Sequence, residues 1–371
     1  LGGGSGGLVA ANKVKRLLGE RVEVTLVDGN THHEFMPAYP WVALGMREPE
    51  QIRRPLAHLE RRGIRYLQAT VEALDPANNW VRTGARELSY DYLIVSLGAE
   101  AMPAPAQDSH APWSLAGALK LREALKGFKG GRVVMGVSSP YYPCPPAPYE
   151  VAGRVEFALK VKGLRQKSTV EVFHLDPAPL AGMGPVISGK VLEILRSKGI
   201  AFHGEFEPVA FEGGKVKAKD GRELAYDLLI LVPPFAPNRV VRESPLAGPQ
   251  GFPQVDKTTF RSKEFPNVFV IGDTVNPALM LPPAGVVAHF QGEYVAGVIA
   301  SDLKGAYIGE PFNPVAMCIM DFGDNALLPQ CSFERVLSGT GMPSCGVMAV
   351  GKWVRVTKIL FEGFWFATLI E

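Results

Sequence analysis

The chain has 371 residues, and 47% of them are hydrophobic against 20% charged. That is enough for two domains and an appendage and is incompatible with global disorder. A net charge of +2, from 39 basic and 37 acidic residues, argues against a nucleic-acid binder driven by bulk charge, and four cysteines without a CxxC spacing argue against a zinc or iron–sulfur framework, so no metal is expected.

The chain opens on Leu1-Gly2-Gly3-Gly4-Ser5-Gly6-Gly7, which contains GxGxxG as Gly2, Gly4 and Gly7. A helical stretch from Leu8 to Leu18 follows, then a strand from Val22 to Val27, then Asp28, about 20 residues beyond the last glycine. Glycines at these positions let backbone N–H groups and a helix N-terminus approach a pyrophosphate, and the acid takes ribose hydroxyls. Ser5 belongs to the same loop. The strand that should precede Gly2 is expected in residues that the sequence does not include. His32, His33 and Glu34 read as a solvated loop rather than a metal or proton site.

Arg86 to Ile94 and Arg222 to Ile230 echo each other: a turn, a short strand, Tyr-Asp, then a buried strand. The first runs on to Gly98. Such an echo suits two similar nucleotide-binding folds. Arg132 to Val137 reads as the first strand of the second. The loop after it, Ser138 to Glu150, has five prolines and no glycine. Proline offers no N–H to a phosphate, so NAD(P)H is not expected to bind there. The loop holds Cys144 rigidly instead. Glu150 beside it reads equally as a proton carrier or a first-turn carboxylate.

Asn267 to Asp273 reads as a buried strand ending in Gly272-Asp273, with a helix from Ala284 to Leu303 beyond it. This resembles two-domain flavoproteins, in which the acid binds the ribityl chain and the helix N-terminus faces the flavin. That resemblance implies FAD, with Val71, Gly98, Pro283, Ala284 and Gly285 added to the cofactor-binding set.

Cys331 and Cys345 read as a structural disulfide, as a cap on a channel, or as free thiols, with the disulfide favoured. The C-terminus is basic at Lys352, Arg355 and Lys358, then almost wholly apolar from Ile359 to Ile370. It is too short to span a bilayer. A core helix and a helix lying in the membrane interface are the two readings, and the flanking basic and aromatic residues favour the second.

Phe35-Met-Pro-Ala-Tyr-Pro-Trp-Val-Ala-Leu-Gly45, Cys144-Pro-Pro-Ala-Pro-Tyr-Glu150, Cys318-Ile-Met-Asp-Phe-Gly-Asp324 and Gly351-Lys-Trp-Val354 through Glu362 resemble, in order, four motifs of sulfide:quinone oxidoreductases. The cysteine loop is also similar to that of the flavoprotein chain of flavocytochrome c sulfide dehydrogenase. The resemblance implies two Rossmann-like α/β domains: residues 1–110 with 240–310 for FAD, residues 111–239 for the second, and a membrane-docking segment, 311–371. It implies sulfide oxidation to sulfur or polysulfide at catalytic Cys144 and Cys318, with electrons passing through FAD to quinone held by Phe361, Phe364 and Trp365. It also implies a peripheral, monotopic place on the cell membrane and leaves a homo-oligomer open. A cytochrome-linked flavoprotein and a type II NADH:quinone dehydrogenase are the alternatives. Trp113 to Gly117 stands where many members keep a third cysteine, so FAD is expected to be non-covalent. Pro282-Pro-Ala-Gly285 lacks a lysine usual in that turn. Removing the chain from about Trp353 is expected to spare sulfide-driven flavin reduction.

Overall fold

The computed structural model describes residues 1–84, 86–248, 250–306, 312 and 314–371. The first nucleotide-binding fold pairs strand Val24–Asp28 with Ile64–Gln68 in parallel, and Leu93–Val95 with Val268–Val270 in parallel. Leu1 and Gly2 stitch these pairs together. The Leu1 nitrogen donates to the Ile94 carbonyl at 2.7 Å, and the Gly2 N–H donates to the Val27 carbonyl at 2.9 Å.

Helix Ser5–Leu18 starts inside the glycine run. Its N-cap, Gly4, brings no side-chain acceptor, so the first-turn N–H groups are left for a ligand. Helix Gly285–Lys304 packs against it at backbone contact. A Cβ at Gly292 would stand 2.6 Å from the Gly6 carbonyl oxygen.

The second fold is a four-stranded parallel sheet in the order Ile200–His203, Ser168–Phe173, Gly131–Val137, Leu228–Val232. Val133, Val134, Met135 and Val137 are all buried, as a parallel strand covered on both faces requires. The sequence echo has a structural counterpart. Each copy closes a three-stranded antiparallel flap, ending at Arg86–Ser89 or Glu223–Ala225, that feeds a buried parallel strand. The domain boundary expected at 310/311 lies outside the described residues.

Beyond it come antiparallel strands Val315–Met317, Met320–Asp321, Ala326–Ser332 and Ser344–Val350, then helix Lys352–Leu369. Cys331 faces Cys345 across the ladder and the two form a disulfide, which settles the three readings of that pair.

The last helix is inverted relative to an ordinary surface helix. Its outer face carries Trp353, Val356, Leu360 and Phe364, with Leu360 66% and Phe364 64% exposed. Its inner face buries two charged residues, Lys358 (4% exposed) and Glu362 (7%), along with Trp365 and Phe366. Lys358 pairs with Glu150, and Arg47 pairs with Glu362 at 3.1 Å.

Gly292→Ala tests the helix contact. A methyl group forced against a backbone carbonyl should cost about 1–3 kcal/mol and lower the midpoint of thermal unfolding. An unchanged midpoint would mean that the two helices separate freely.

Candidate functional site

The cradle at the start of the chain is built from missing side chains. A Cβ at Gly2, where φ is 91°, would lie 2.2 Å from the Ser96 carbonyl oxygen, and one at Gly7 would lie 1.9 Å from that of Gly2. Around Gly4 there is open space. Asp28 braces the loop, since its Oδ2 accepts from the Gly3 N–H at 2.5 Å and its Oδ1 from the Asn30 N–H at 2.7 Å. Gly285 sits against Ser5, with a Cβ there 3.0 Å from the Ser5 hydroxyl, so the N-termini of the two long helices meet.

Asp273 follows Gly272 at the end of its strand. Its Oδ1 is buried without a hydrogen-bond partner, and burial pushes its carboxyl up to about 7. A sugar-alcohol hydroxyl would satisfy that oxygen. Next to it, the Gly98 N–H donates to the Thr274 hydroxyl at 2.9 Å. Gly98 has a φ of 70° and nothing close to its Cβ position. Val71 is buried in the same core as Val27 and Val95. The glycine cradle, Asp28 and the orphan carboxylate together fit a flavin dinucleotide.

The proline-rich loop is pinned onto this cradle. Cys144 takes a left-handed conformation, φ 59°, rare for a residue with a side chain. Its N–H donates to the Pro283 carbonyl at 2.7 Å, and the Tyr141 hydroxyl donates to the Asp273 carbonyl at 2.8 Å. Trp113, from the stretch that replaces a third cysteine, donates its indole N–H to Pro143 at 3.0 Å. Tyr142 bonds to His174 Nε2 at 3.0 Å.

Cys318 emerges just beyond strand Val315–Met317 and meets Cys144. Both thiols are half-buried, and neither is in a disulfide. The Cys318 thiol is pushed well above its ordinary range, first by its hydrogen bond to Cys144 and then by burial.

An ion network lies beside the thiols. Lys358 bonds to Glu150, and Arg154 bonds to Asp321. Asp321 also accepts from Arg355 at 3.1 Å and from the Trp41 indole N–H at 3.3 Å. Burial raises the Glu150 carboxyl, against the opposing pull of Lys358 and Arg154. Arg47, Arg154 and Lys358 all lie within 5.1–5.6 Å of the Trp41 ring. The early Pro-Trp motif and the cysteine loop are thus parts of one site.

Arg154 and the roles of Asp321 and Trp113 escape sequence reasoning. Asp321 and Trp113 belong to quoted stretches and Arg154 lies just beyond one, but the partner of each is far away in the chain. Of the three aromatic residues in the C-terminal set, Phe361 and Phe364 are exposed and Trp365 is buried. The expectation of a solvated loop at His32–Glu34 is corrected. These residues form a strand paired with Arg53–Pro55, and His33 is buried.

Asp273→Asn offers a test with a defined pH dependence. The folded apoprotein holds the Asp273 proton up to about pH 7, whereas an unfolded chain releases it near 3.9. Stability contributed by this group is therefore present at low pH and lost as pH rises to about 7. The Asn variant should match the parent near pH 4 and be more stable than it above pH 7, while binding FAD more weakly. Thermal unfolding of the apoprotein across pH, with FAD titrations, checks both.

Residues 1–292 match the family described as pyridine nucleotide-disulphide oxidoreductase. The chain is similar to the mitochondrial sulfide:quinone oxidoreductase of Mus musculus, with 28% identity over 78% of this chain and 68% of the mouse protein. It is similar to the sulfide-quinone reductase of Aquifex aeolicus (strain VF5), with 25% identity over 98% of this chain and 89% of that protein. The X-ray structure of the sulfide:quinone oxidoreductase from Aquifex aeolicus superimposes with a TM-score of 0.88 at 25% identity, covering 99% of this chain and 90% of that one. The chain therefore belongs to the pyridine nucleotide-disulphide oxidoreductase family.

Proposed function

We propose that this protein is a sulfide:quinone oxidoreductase with non-covalently bound FAD, docked peripherally on a membrane. The observation that carries the reading is the meeting of Cys318 with Cys144, whose loop is hydrogen-bonded to Pro283 beside the glycine cradle. On this reading residues 1–110 and 240–310 hold FAD, and 111–239 present the cysteine loop. Residues 311–371 bring Cys318 and the docking helix.

The free Cys144 and Cys318 thiols are first joined by a two-electron oxidation for which bound FAD would supply the oxidant, and hydrosulfide then attacks the resulting sulfur bridge. One S–S bond forms as another breaks, leaving a persulfide on one cysteine and a thiolate on the other. On this reading Glu150, whose charge acts on Cys318, takes the proton that the persulfide loses. The persulfide and thiolate then close into a bridge longer by one sulfur and release two electrons. Bound FAD supplies the two-electron acceptor that hands them to quinone. Repetition lengthens the chain into polysulfide. Proline and the strained Cys144 backbone hold the first sulfur in place throughout.

The outer face of helix Lys352–Leu369 supports the acceptor side. Side chains of this size contribute at most about 1.5–3 kcal/mol each when buried in an interface. No helix among the described residues is long and apolar enough to cross a membrane. Phe361 and Phe364 are the direct aromatic contacts offered to quinone, and Trp365 supports Phe361 from beneath, with ring centroids 5.8 Å apart. Truncation from Trp353 is not a clean test, contrary to the first expectation, because it removes Lys358 from Glu150 and Trp365 and Phe366 from the core.

Cys144→Ser and Cys318→Ser should each reduce sulfide-driven bleaching of the flavin to background with FAD still bound. Bleaching at the parent rate in either variant would end this reading. NADH should not bleach the flavin, since the proline loop replaces a phosphate-binding turn.

Leu360→Glu points away from the Glu150–Lys358 pair. It should release the protein from phospholipid vesicles in a flotation assay and leave sulfide-driven bleaching unchanged. Retention on vesicles would place the docking surface elsewhere.

A further inference from the structure

We propose that His33 is a positioning residue through which the seating of the C-terminal helix sets the affinity for the flavin dinucleotide. The inference rests on the dinucleotide reading of the Gly2–Gly7 loop. His33 is 4% exposed, on the buried side of a short strand. Its Nδ1 lies 2.8 Å from the Gly3 carbonyl oxygen, and its Nε2 lies 2.9 Å from the indole nitrogen of Trp365. A carbonyl only accepts and an indole N–H only donates. The hydrogen therefore sits on Nδ1, and Nε2 is the acceptor. Two partners from opposite ends of the chain fix one neutral tautomer. Burial agrees with this, pushing His33 down to about 4.

The consequence falls on Gly3. Its N–H is held by Asp28 and its carbonyl by His33. In a trans peptide the carbonyl and the following N–H point in opposite directions. Turning the Gly3 carbonyl onto His33 therefore turns the Gly4 N–H away from it, at a residue whose Cβ position has nothing within 4 Å. His33 thus orients a pyrophosphate donor without touching the ligand.

Trp365 holds His33 only while the last helix is seated. Its ring stacks on His33 at 6.0 Å and lies 5.6 Å from His289, near the start of the second long helix. The end of the helix is clamped to the same region. Arg62 donates to the carbonyls of Ala367 and Thr368, and Asn12, on helix Ser5–Leu18, donates to that of Leu369 at 3.0 Å. Helix seating and dinucleotide binding therefore favour each other, and the linkage is reciprocal.

The test uses the full chain, stripped of flavin and titrated with FAD. Trp365→Phe keeps a six-membered aromatic ring at the site and removes the indole N–H. His33→Asn keeps a donor for the Gly3 carbonyl and no longer depends on Trp365. Trp365→Phe should weaken FAD binding about 3- to 10-fold, the range of one net hydrogen bond. In the His33→Asn background the same change should have no further effect. In the parent protein, adding FAD should slow amide hydrogen exchange in residues 352–369, and this protection should shrink in Trp365→Phe. An unchanged FAD Kd in Trp365→Phe, an equal loss in the His33→Asn background, or exchange in 352–369 that ignores FAD would each overturn the proposal. A parent chain that binds no flavin would overturn the cofactor reading itself, a distinguishable result.

Discussion

The hydrogen bond from the Cys144 N–H to the Pro283 carbonyl, 2.7 Å long, joins the two halves of the chemistry. Pro283 stands just before the helix whose N-terminus meets the glycine-rich cradle, and Cys144 stands just before the helix that carries Glu150 and Arg154. Tyr141 and Trp113 hold the same loop from either side. With prolines restricting its neighbours, Cys144 keeps a left-handed backbone that an unsupported residue would leave. The second nucleotide-binding fold thus loses its phosphate turn and presents a thiol to the first.

The second constraint is the inverted C-terminal helix. Burying Lys358 and Glu362 is unfavourable unless each finds a partner, and each does, in Glu150 and Arg47. The same arrangement leaves Leu360 and Phe364 outside, where water is a poor neighbour. A soluble protein would gain by reversing the helix; a protein resting on a bilayer has reason to keep it. On the proposed reading, one helix faces lipid with its apolar side and the cysteine pair with its charged side.

Local patterns made part of this legible. The glycine loop, helix, strand and Asp28 follow one another within a single βαβ unit, and Gly272-Asp273 closes a buried strand, so sequence spacing alone locates the cradle. The absence of glycine between Ser138 and Glu150 is equally local. Cys144 and Cys318 are joined by resemblance and not by spacing, because nothing in the sequence brings such distant residues together. His33 was misread because His-His-Glu looks polar, although a strand of three exposes its middle residue to the opposite face. The inward turn of Lys358 was not legible either. Basic residues on an apolar helix suggest contact with lipid headgroups, and the partner that reverses this, Glu150, lies more than half the chain away. Trp365 belongs with them: its aromatic character was plain, and its bond to His33 was not.

Anaerobic reaction of the flavin-loaded protein with sulfide, followed by a soluble quinone analogue, tests the central claim most directly. The account predicts that sulfide bleaches the flavin and the quinone restores its colour, and that the Cys144 and Cys318 peptides are then linked by a bridge carrying added sulfur. Cytochrome c should not replace the quinone, nor NADH the sulfide. Turnover in which both cysteines remain as free thiols open to alkylation, or in which NADH drives quinone reduction without sulfide, would contradict it.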